Sequence, residues 1–370
     1  MADRRTVSSI GIPGPGRAEV MSYDEDPPER GEVRVDTLFT GLSAGTELTF
    51  LKGTNPYLHA SWDADRGVFL DGTPARSYPI PALGYMEVAR VVDSRSDTVS
   101  DGDVVALTYG HRTGHVVDPS KSVLTPLPDA LDPLLGVYVA QMGPICVNGL
   151  LHAAAEERGP ATDLALADGV RDRKVLVTGG GGVGLLTGLL ARMHGAAEVA
   201  LADPDPRRLA AAEALGLIPV ADDQPDAVWS WCASRWQNGP ADVGADVVFQ
   251  CRGQASVLAG ALRSARPQGT VIDLAFYQGG APELRLGEEF HHKGLTIRCA
   301  QINRVPRGLA DSWDRRRLCA ETLDLLATHG GEVREHIVTD VVPFDDGPAL
   351  MVELAERRRS TIQAVFAVEG

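Results

Sequence analysis

The sequence predicts an α/β protein with two domains, one rich in β-strands and one built on a parallel sheet wrapped by helices. Its 370 residues are too many for one typical hydrophobic core. Along the chain, short β-branched runs give way to a regular alternation of strands and helices, which is typical of a parallel sheet. These two observations predict the fold class before any single residue is considered.

Residues 4 to about 128 form the β-rich part. Gly, Pro and Asp separate its β-branched runs, which include EVRVDTLFTG, YMEVARVVDS, DVVALTY and SVLTPLP. Residues 53 to 81 hold several Gly and Pro and a few aromatic side chains, and we expect a long loop of the kind that is usually functional or mobile. From Leu131 to about Glu157 the pattern becomes helical.

The alternation of strands and helices begins with VLVTG. The helix VGLLTGLLARMHG closes at Gly195, EVALAD is the next strand, and the helix DPRRLAAAEALG ends at Gly216. Then follow ADVVFQC, the helix SVLAGALRSA, GTVIDLAF and LTIRCAQ, after which the order is helix, strand, helix and strand. We therefore expect one domain at 1–148 and 305–370 and the parallel-sheet domain at 149–304.

The charge and the cysteines exclude several classes of partner. A net charge of −15 repels nucleic-acid phosphates and anionic lipid, so we expect no nucleic-acid and no membrane partner. No run approaches the roughly 18 apolar residues of a spanning helix, and the N-terminus shows no apolar signal core. The five cysteines are scattered without a CxxC pair, which favours a reducing cytoplasm over a disulfide framework.

A glycine-rich turn predicts a dinucleotide site. In VLVTGGGGVG, Gly179, Gly181 and Gly184 have G-x-G-x-x-G spacing, after a predicted strand and at the start of a predicted helix. Glycines allow a tight turn and a close approach to the pyrophosphate, and the helix N-terminus offers free N–H donors. Gly182 and Val183 of the same turn belong to this predicted site. The alternative is a glycine-rich turn of some other α/β protein.

An acidic residue at the end of the next strand favours NAD. Asp203 lies nineteen residues after Gly184, close to the expected spacing of about 20. Its carboxylate can accept hydrogen bonds from the adenosine ribose and would repel a 2′-phosphate; the alternative is a simple strand-end cap. Arg208 is expected to flank the ribose, and Cys251 and Ala275, at later strand ends, complete the predicted cofactor residues.

These motifs make the chain resemble the medium-chain dehydrogenase/reductase superfamily over nearly its whole length. It is most similar to the branch that contains bacteriochlorophyllide dehydrogenase, on the stretches GLSAGTELTFLKG (41–53), FHHKGLTIRCAQINRVP (290–306) and SWDRRRLCAETLDLL (312–326). The resemblance implies a GroES-like β-barrel catalytic domain, a Rossmann NAD-binding domain in the middle of the chain and a C-terminal return to the first domain.

The resemblance also leads us to predict that catalytic zinc is absent. Zinc-using members hold the metal on a Cys beside G-T-D, a His in G-H-E and a later Cys or Glu. Here these positions fall on Ala44 in SAGTE, Tyr85 in GYME and Met142 or Gly143 in AQMGPIC. None is a good ligand, because catalytic zinc takes three N, S or O side chains. The usual four-cysteine structural lobe is missing from the sequence as well.

Without a metal, protein groups must stabilise charge on the reacting oxygen and move its proton. The resemblance places Tyr85 where a metal-binding His would be and Thr46 at the family's proton-relay hydroxyl. Glu47 could orient its neighbours or act as a base, and His111 ends a strand that is expected to border the cleft. Each residue also has an ordinary structural alternative: Tyr85 as a core tyrosine, Thr46 as a helix N-cap, Glu47 as a carboxylate on a helix dipole and His111 as a surface-loop histidine.

Five further residues are weaker candidates. Glu87 follows a strand start and is expected to be structural, and His115, His291 and His292 have less to favour them. Cys146 has no base near it in the sequence and is expected to be a buried thiol. No Tyr-x-x-x-Lys appears, so the mechanism of short-chain dehydrogenases is not available.

The expected function is zinc-free hydride transfer between NAD and a secondary alcohol or its ketone, in a specialised or natural-product pathway. Two alternatives stay open: a metal-free quinone or enoyl reductase, whose relatives normally use NADPH, and a dinucleotide-binding sensor without turnover. Tyr57, Trp62 and Phe69 could cover a bulky or sugar-like substrate. The expected partners are a small-molecule alcohol or ketone and further copies of the chain, in a homodimer or homotetramer paired along LTIRCAQ.

Overall fold

The structure is a computed structural model that describes residues 4–159 and 163–368. The chain divides into two compact units, Met1–Gln141 with Val338–Gly370, and Met142–Ile337. The domain limits expected from the sequence lie inside the second unit. The reason is that the helix Met142–Arg158 packs against the helix Arg315–His336, so both belong to one core.

The elements run as follows in the described part of the chain. The strands are β1 Arg5–Gly14, β2 Arg17–Glu25, β3 Val33–Gly41, β4 Ala60–Asp63, β5 Val68–Asp71, β6 Glu87–Ser94, β7 Val104–Leu107, β8 Gly114–Val117, β9 Leu124–Pro126, β10 Lys174–Thr178, β11 Glu198–Asp203, β12 Ile218–Ala221, β13 Gln237–Gly239, β14 Asp242–Val243, β15 Ala245–Gln250, β16 Ala265–Asp273, β17 Thr296–Cys299, β18 Val338–Pro343 and β19 Gln363–Ala367. The α-helices are α1 Ala44–Leu51, α2 Met142–Arg158, α3 Gly182–Met193, α4 Pro206–Ala214, α5 Ala227–Arg235, α6 Ala255–Ser264, α7 Glu289–Lys293, α8 Arg315–His336 and α9 Gly347–Ala355. Among these described helices, none combines the length and the apolar character needed to cross a membrane.

A seven-stranded sheet forms the first unit, in the order β18-β19-β3-β6-β7-β9 with β8 also paired to β3. Neighbouring strands are antiparallel except β18 and β19, which run parallel. The end of the chain thus returns to the N-terminal sheet. The apolar faces of α1 and α9 pack against it through a shared core that includes Leu48, Ile80, Met351 and Phe366.

A six-stranded parallel sheet forms the second unit, in the order β12-β11-β10-β15-β16-β17. This is the strand order of a Rossmann sheet, and the order reverses between β10 and β15, which is where such sheets bind dinucleotides. Most of the central strand residues are buried, because helices such as α3 and α6 cover the sheet. The strand predicted from LTIRCAQ is β17, at the end of this strand order.

Residues 53 to 81, expected to be a loop, contain regular structure instead. A 3₁₀ turn at Pro56–Leu58 leads into the antiparallel hairpin of β4 and β5. Trp62 lies opposite Phe69 in this hairpin, with ring centroids 5.3 Å apart. Cross-strand aromatic pairs stabilise short hairpins, which explains why two four-residue strands form in so glycine-rich a segment.

Candidate functional site

A cavity of about 320 Å³ in the first unit carries three predicted catalytic residues, Thr46, Glu47 and Tyr85, on its wall. The cavity depends on a close crossing of two backbone segments. Gly84 has φ +105, and a Cβ on Gly110 would lie 1.9 Å from the Leu83 carbonyl oxygen. Only glycine fits both demands, so the segment before β6 can lie directly against the segment after β7.

The Tyr85 phenol is anchored at this wall. Its hydroxyl donates a hydrogen bond to Ser43 Oγ. Burial, and then the negative charge of Glu47, raise the pKa of Tyr85 to about 12, against an opposing effect of the Ser43 and Thr46 hydroxyls. Tyr85 is therefore protonated at neutral pH, so it can donate a hydrogen bond or a proton but cannot act as a base there. Ser43, which the sequence analysis missed, is also the N-cap residue of α1. Thr46, for which N-capping was the alternative, is not the N-cap.

Glu47 and His111 form a buried pair. Glu47 Oε2 lies 2.7 Å from His111 Nε2, and Glu47 Oε1 accepts a hydrogen bond of 2.7 Å from the Ser43 backbone N–H. His111 Nδ1 lies 2.8 Å from Thr40 Oγ1, so both ring nitrogens have partners, and the imidazole is 0% exposed. This geometry holds the imidazole between a carboxylate and a hydroxyl. It favours a positioning role for His111 over contact with a substrate.

A second buried pair, Glu87 with His115, lies in the same unit. Glu87 Oε2 is 2.7 Å from His115 Nε2, and Glu87 Oε1 accepts a hydrogen bond of 2.5 Å from Thr37 Oγ1. The His115 ring stacks on Tyr109 with centroids 4.1 Å apart. Glu87 is 0% exposed, which agrees with the structural role expected for it.

The remaining weaker candidates are placed away from this cavity wall. His291 and His292 are exposed on α7 of the second unit. Cys146 is fully buried, and its Sγ donates to the carbonyl oxygens of Met142 and Val183. Burial raises the pKa of the Cys146 thiol to about 12, so the nucleophilic thiolate is not formed near neutral pH.

The side chains at the family's metal positions do not fit zinc. Ala44 opens α1 and Met142 and Gly143 open α2, none with a nitrogen or oxygen donor in the side chain. The Tyr85 hydroxyl is protonated and bonded to Ser43. Residues 4–159 and 163–368 contain no group of three His, Cys, Asp or Glu side chains that could hold a metal ion. We therefore derive no step through a metal.

The predicted glycine turn joins β10 to α3 in the second unit. Gly179 has φ +103, and a Cβ on Gly184 would lie 1.8 Å from the Gly179 carbonyl oxygen. A Cβ on Gly181, in contrast, would meet nothing within 4 Å. Gly184 is thus needed for packing of the turn against the helix, while the open side of the turn at Gly181 is free to accept a ligand. Gly182 and Val183 begin α3, whose N-terminal N–H groups attract phosphate.

Asp203 holds this turn in place. Its Oδ2 accepts a hydrogen bond of 2.7 Å from the Gly180 N–H, and its Oδ1 accepts one of 2.8 Å from the Asp205 N–H. Arg208 Nη1 lies 3.4 Å from the same carboxylate, which is only 1% exposed. Asp203 therefore caps the end of β11 in this structure. Its role toward a ribose stays a prediction, for which only Oδ1 retains a lone pair.

Cys251 and Ala275 follow the neighbouring parallel strands β15 and β16, at the same sheet edge as the glycine turn. The Ala275 N–H donates to Asp273 Oδ1 over 3.0 Å. Burial raises the pKa of the Cys251 thiol well above its usual value, so it is uncharged. The sequence analysis missed Gln250, the last residue of β15, whose Oε1 accepts a hydrogen bond of 2.5 Å from the Thr178 hydroxyl. A polar residue that ends a buried strand is the signal that could have found it.

A groove of about 970 Å³ opens from the same edge of the sheet and extends along α5 and α6. Thr178, Asp222 and Arg252, at the ends of β10, β12 and β15, lie on its wall. Arg252 Nη1 lies 3.9 Å from Asp222 Oδ2. Grooves at the carboxyl ends of parallel strands, at the point where strand order reverses, are where open α/β sheets bind nucleotides. Asp222 and Arg252 were also not predicted as site residues, because their spacing in the sequence matches no binding motif.

Comparison with known proteins agrees with this architecture. A family described as zinc-binding dehydrogenase matches residues 182–313. An uncharacterized zinc-type alcohol dehydrogenase-like protein of Escherichia coli K12, YdjJ, is 24% identical over 257 residues, which cover 65% of this chain and 69% of that protein.

Two solved structures share the fold. The 2R,3R-butanediol dehydrogenase from Bacillus subtilis superposes with a TM-score of 0.72 at 19% identity, over 98% of this chain and 99% of that one. A candidate zinc-binding dehydrogenase from Sinorhizobium meliloti 1021 bound to NADP gives 0.71 at 18% identity, over 98% and 99%. The predicted fold class, a GroES-like domain with a Rossmann domain, is confirmed. Over residues 182–313 the chain is similar to zinc-binding dehydrogenases, and over 98% of its length it shares the fold of the Bacillus subtilis butanediol dehydrogenase.

Proposed function

We propose that the protein transfers hydride between NAD and a secondary alcohol or its ketone without a catalytic zinc. Similarity to zinc-binding dehydrogenases supports a dinucleotide-dependent oxidoreductase; NAD, the missing metal and the type of substrate are further parts of the proposal. One observation carries it. Tyr85, at the place of a metal-binding histidine, has a protonated hydroxyl bonded to Ser43 and lines a cavity whose wall also includes Thr46 and Glu47.

In the reductive direction, hydride adds to the carbonyl carbon and negative charge develops on the carbonyl oxygen. Tyr85 exchanges its hydrogen bond to Ser43 for one to that oxygen and donates its proton there, and solvent returns a proton to the phenolate. A single preorganised donor contributes about 10²–10³-fold, and a positioned general acid about 10²–10⁴-fold. Glu47, fixed by His111 and the Ser43 N–H, orients Ser43 and through it the phenol.

The raised pKa of Tyr85 fits the role of proton donor in this proposal. Alcohol oxidation would require the phenolate as base, and a group with a pKa of about 12 is ionised only to about one part in 10⁵ at pH 7. Ketone reduction uses the abundant protonated form. The proposed net reaction is ketone, NADH and a proton giving secondary alcohol and NAD⁺.

NAD is proposed as the cofactor because Asp203 places a carboxylate at the end of β11, where a 2′-phosphate would be repelled. Bound NADP in one similar structure makes a direct comparison necessary. We further propose a homodimer or homotetramer formed along β17, and a cytoplasmic location. The five cysteines are all free thiols, which supports a reducing compartment.

The test is a reductase assay on protein purified without chelator, with its zinc content measured. NADH and NADPH are each offered with a panel of aliphatic ketones, quinones and enones. We expect the protein to oxidise NADH with ketones as substrates while it contains less than one zinc ion per ten chains. One tightly held zinc per chain contradicts the metal-free mechanism, and activity with NADPH on quinones or enones favours the alternative reductase. Binding of NADH without turnover on any compound favours a sensor.

A further inference from the structure

Two arginines, Arg76 and Arg112, lie on the wall of the cavity that contains Tyr85. Within the described residues, neither guanidinium has a carboxylate partner, although many of the chain's other arginines are paired, as Arg266 is with Asp242 and Asp246. In a chain with a net charge of −15, acidic partners are plentiful. Two unneutralised cations on one small cavity therefore call for a ligand-based explanation.

Arg112 is held by aromatic rings and not by an acid. Its guanidinium carbon lies 5.6 Å from the centre of the Tyr109 ring and 5.7 Å from that of Tyr23, and Nη1 donates to the Tyr23 hydroxyl over 3.4 Å. Its Nε is buried and has no hydrogen-bond partner. Cation–π contacts fix the position of a guanidinium while leaving its charge intact.

Arg76 is exposed, but its backbone is fixed. Its N–H donates to the Tyr57 carbonyl oxygen over 2.9 Å, which ties it to the 3₁₀ turn before the β4–β5 hairpin. Arg76 thus lines the cavity from a structured segment. Arginine on such a segment can bind an oxyanion with two parallel N–H donors.

Glu47 is the acidic residue on this wall, and its carboxylate is already engaged by His111 and by the Ser43 N–H. It does not neutralise either arginine, since no ion pair joins them in the described part of the chain. The cavity therefore keeps an excess of positive charge beside a hydroxyl donor, Tyr85.

We infer that the substrate carries an anionic oxygen group, a carboxylate or a phosphate, which Arg76 and Arg112 bind while Tyr85 faces the reacting oxygen. The inference rests on the proposed function for its reaction, and narrows the substrate to hydroxy or keto acids and phosphorylated alcohols or ketones. Both arginines act as binding residues for a group that does not react, so they set KM more than kcat.

The test compares matched substrates with NADH: keto acids against their methyl esters, and phosphorylated ketoses against the free ketoses. These two arms separate carboxylate from phosphate. We expect turnover with one anionic series and at least tenfold lower kcat/KM with its neutral partners. Arg76→Gln, an exposed position that leaves the fold intact, should raise KM for the anionic substrate about 10- to 100-fold with little change in kcat, and Arg76→Lys should recover part of the loss.

The matched control is Arg30→Gln, an exposed arginine of the same unit away from the cavity, which should leave KM unchanged. A second readout, independent of turnover, is the binding of inorganic phosphate and of oxalate measured by calorimetry, with and without Arg76→Gln. Equal turnover of neutral and anionic partners, or an Arg76→Gln variant with unchanged KM, overturns the inference and leaves the proposed function standing. Arg76-dependent binding of an anion without any turnover supports the anion site and contradicts the proposed function instead.

Discussion

Two alanine substitutions in the glycine turn should affect different properties, one the stability of the fold and the other the binding of NADH, although both glycines belong to the same sequence motif. In Gly184→Ala the new Cβ would lie 1.8 Å from the Gly179 carbonyl oxygen, deep inside van der Waals contact. That oxygen belongs to a backbone fixed by a hydrogen bond of 2.8 Å from the Gly179 N–H to the Ala202 carbonyl. Overpacking of this kind costs about 1–3 kcal/mol, and the clash with backbone places this case at the upper end.

For a unit the size of Met142–Ile337, each kcal/mol shifts Tm by about 2–4 °C, so Gly184→Ala should lower Tm by roughly 5–10 °C. In Gly181→Ala the Cβ meets nothing within 4 Å and φ is −77, so only the weaker N-cap preference of alanine is lost and Tm should fall by less than about 4 °C. There the methyl group should instead obstruct the pyrophosphate and raise the NADH Kd at least tenfold.

Differential scanning calorimetry and fluorescence titration with NADH measure the two effects separately. If Gly184→Ala keeps the wild-type Tm, or if Gly181→Ala binds NADH normally, the assignment of a packing role to one glycine and a ligand-facing role to the other is refuted.

Three further predictions follow from the buried polar groups. His111→Ala removes the partner of a buried carboxylate, so it should lower the unfolding free energy measured in urea by about 3–5 kcal/mol. The control His329→Ala, at a His–Glu pair whose carboxylate is 40% exposed, should lower it by less than about 1 kcal/mol. Equal losses of unfolding free energy in the two variants would contradict the burial of Glu47. Asp203→Asn should tighten NADPH binding relative to NADH, and an unchanged ratio of the two Kd values would remove Asp203 from cofactor choice. Folding raises the pKa of Tyr85 from 10.0 to about 12, so the contribution of Tyr85 to stability is complete below pH 10 and is lost as the pH rises from 10 toward 12. Over this range the unfolding free energy of Tyr85→Phe should fall less steeply with pH than that of the wild type. Parallel curves of unfolding free energy against pH would disprove the raised pKa.

Much of the fold could be predicted because its signals are local. Neighbouring residues show the periodicity of strands and helices. They also show where α3 and α4 end, at Gly195 and Gly216, which have positive φ. The same holds for the glycine turn and Asp203. The hairpin of β4 and β5 was not predicted, because its stability comes from a cross-strand aromatic contact that strand propensities do not indicate.

The cavity was only partly predictable, since its geometry joins distant residues. Ser43 lies 42 positions before Tyr85, and no spacing rule connects them. His111 was predicted as a catalytic group from its residue type and its place at a strand end, and this stays a prediction; the structure buries it beside Glu47 with both ring nitrogens engaged. Arg76 and Arg112 carry no motif, and their lack of an acidic partner can be seen only when the surrounding chain is folded around them.

The most direct test of the central claim is the kcat of Tyr85→Phe in NADH-dependent ketone reduction. Tyr78→Phe is the control, because that phenol of the same unit donates to the Phe50 carbonyl oxygen and does not line the cavity. We predict that Tyr85→Phe lowers kcat by at least tenfold, and by up to about 10³-fold, with the Kd for NADH unchanged and Tyr78→Phe close to wild type. A Tyr85→Phe enzyme that reduces ketone at nearly the wild-type rate would contradict a metal-free mechanism based on this phenol.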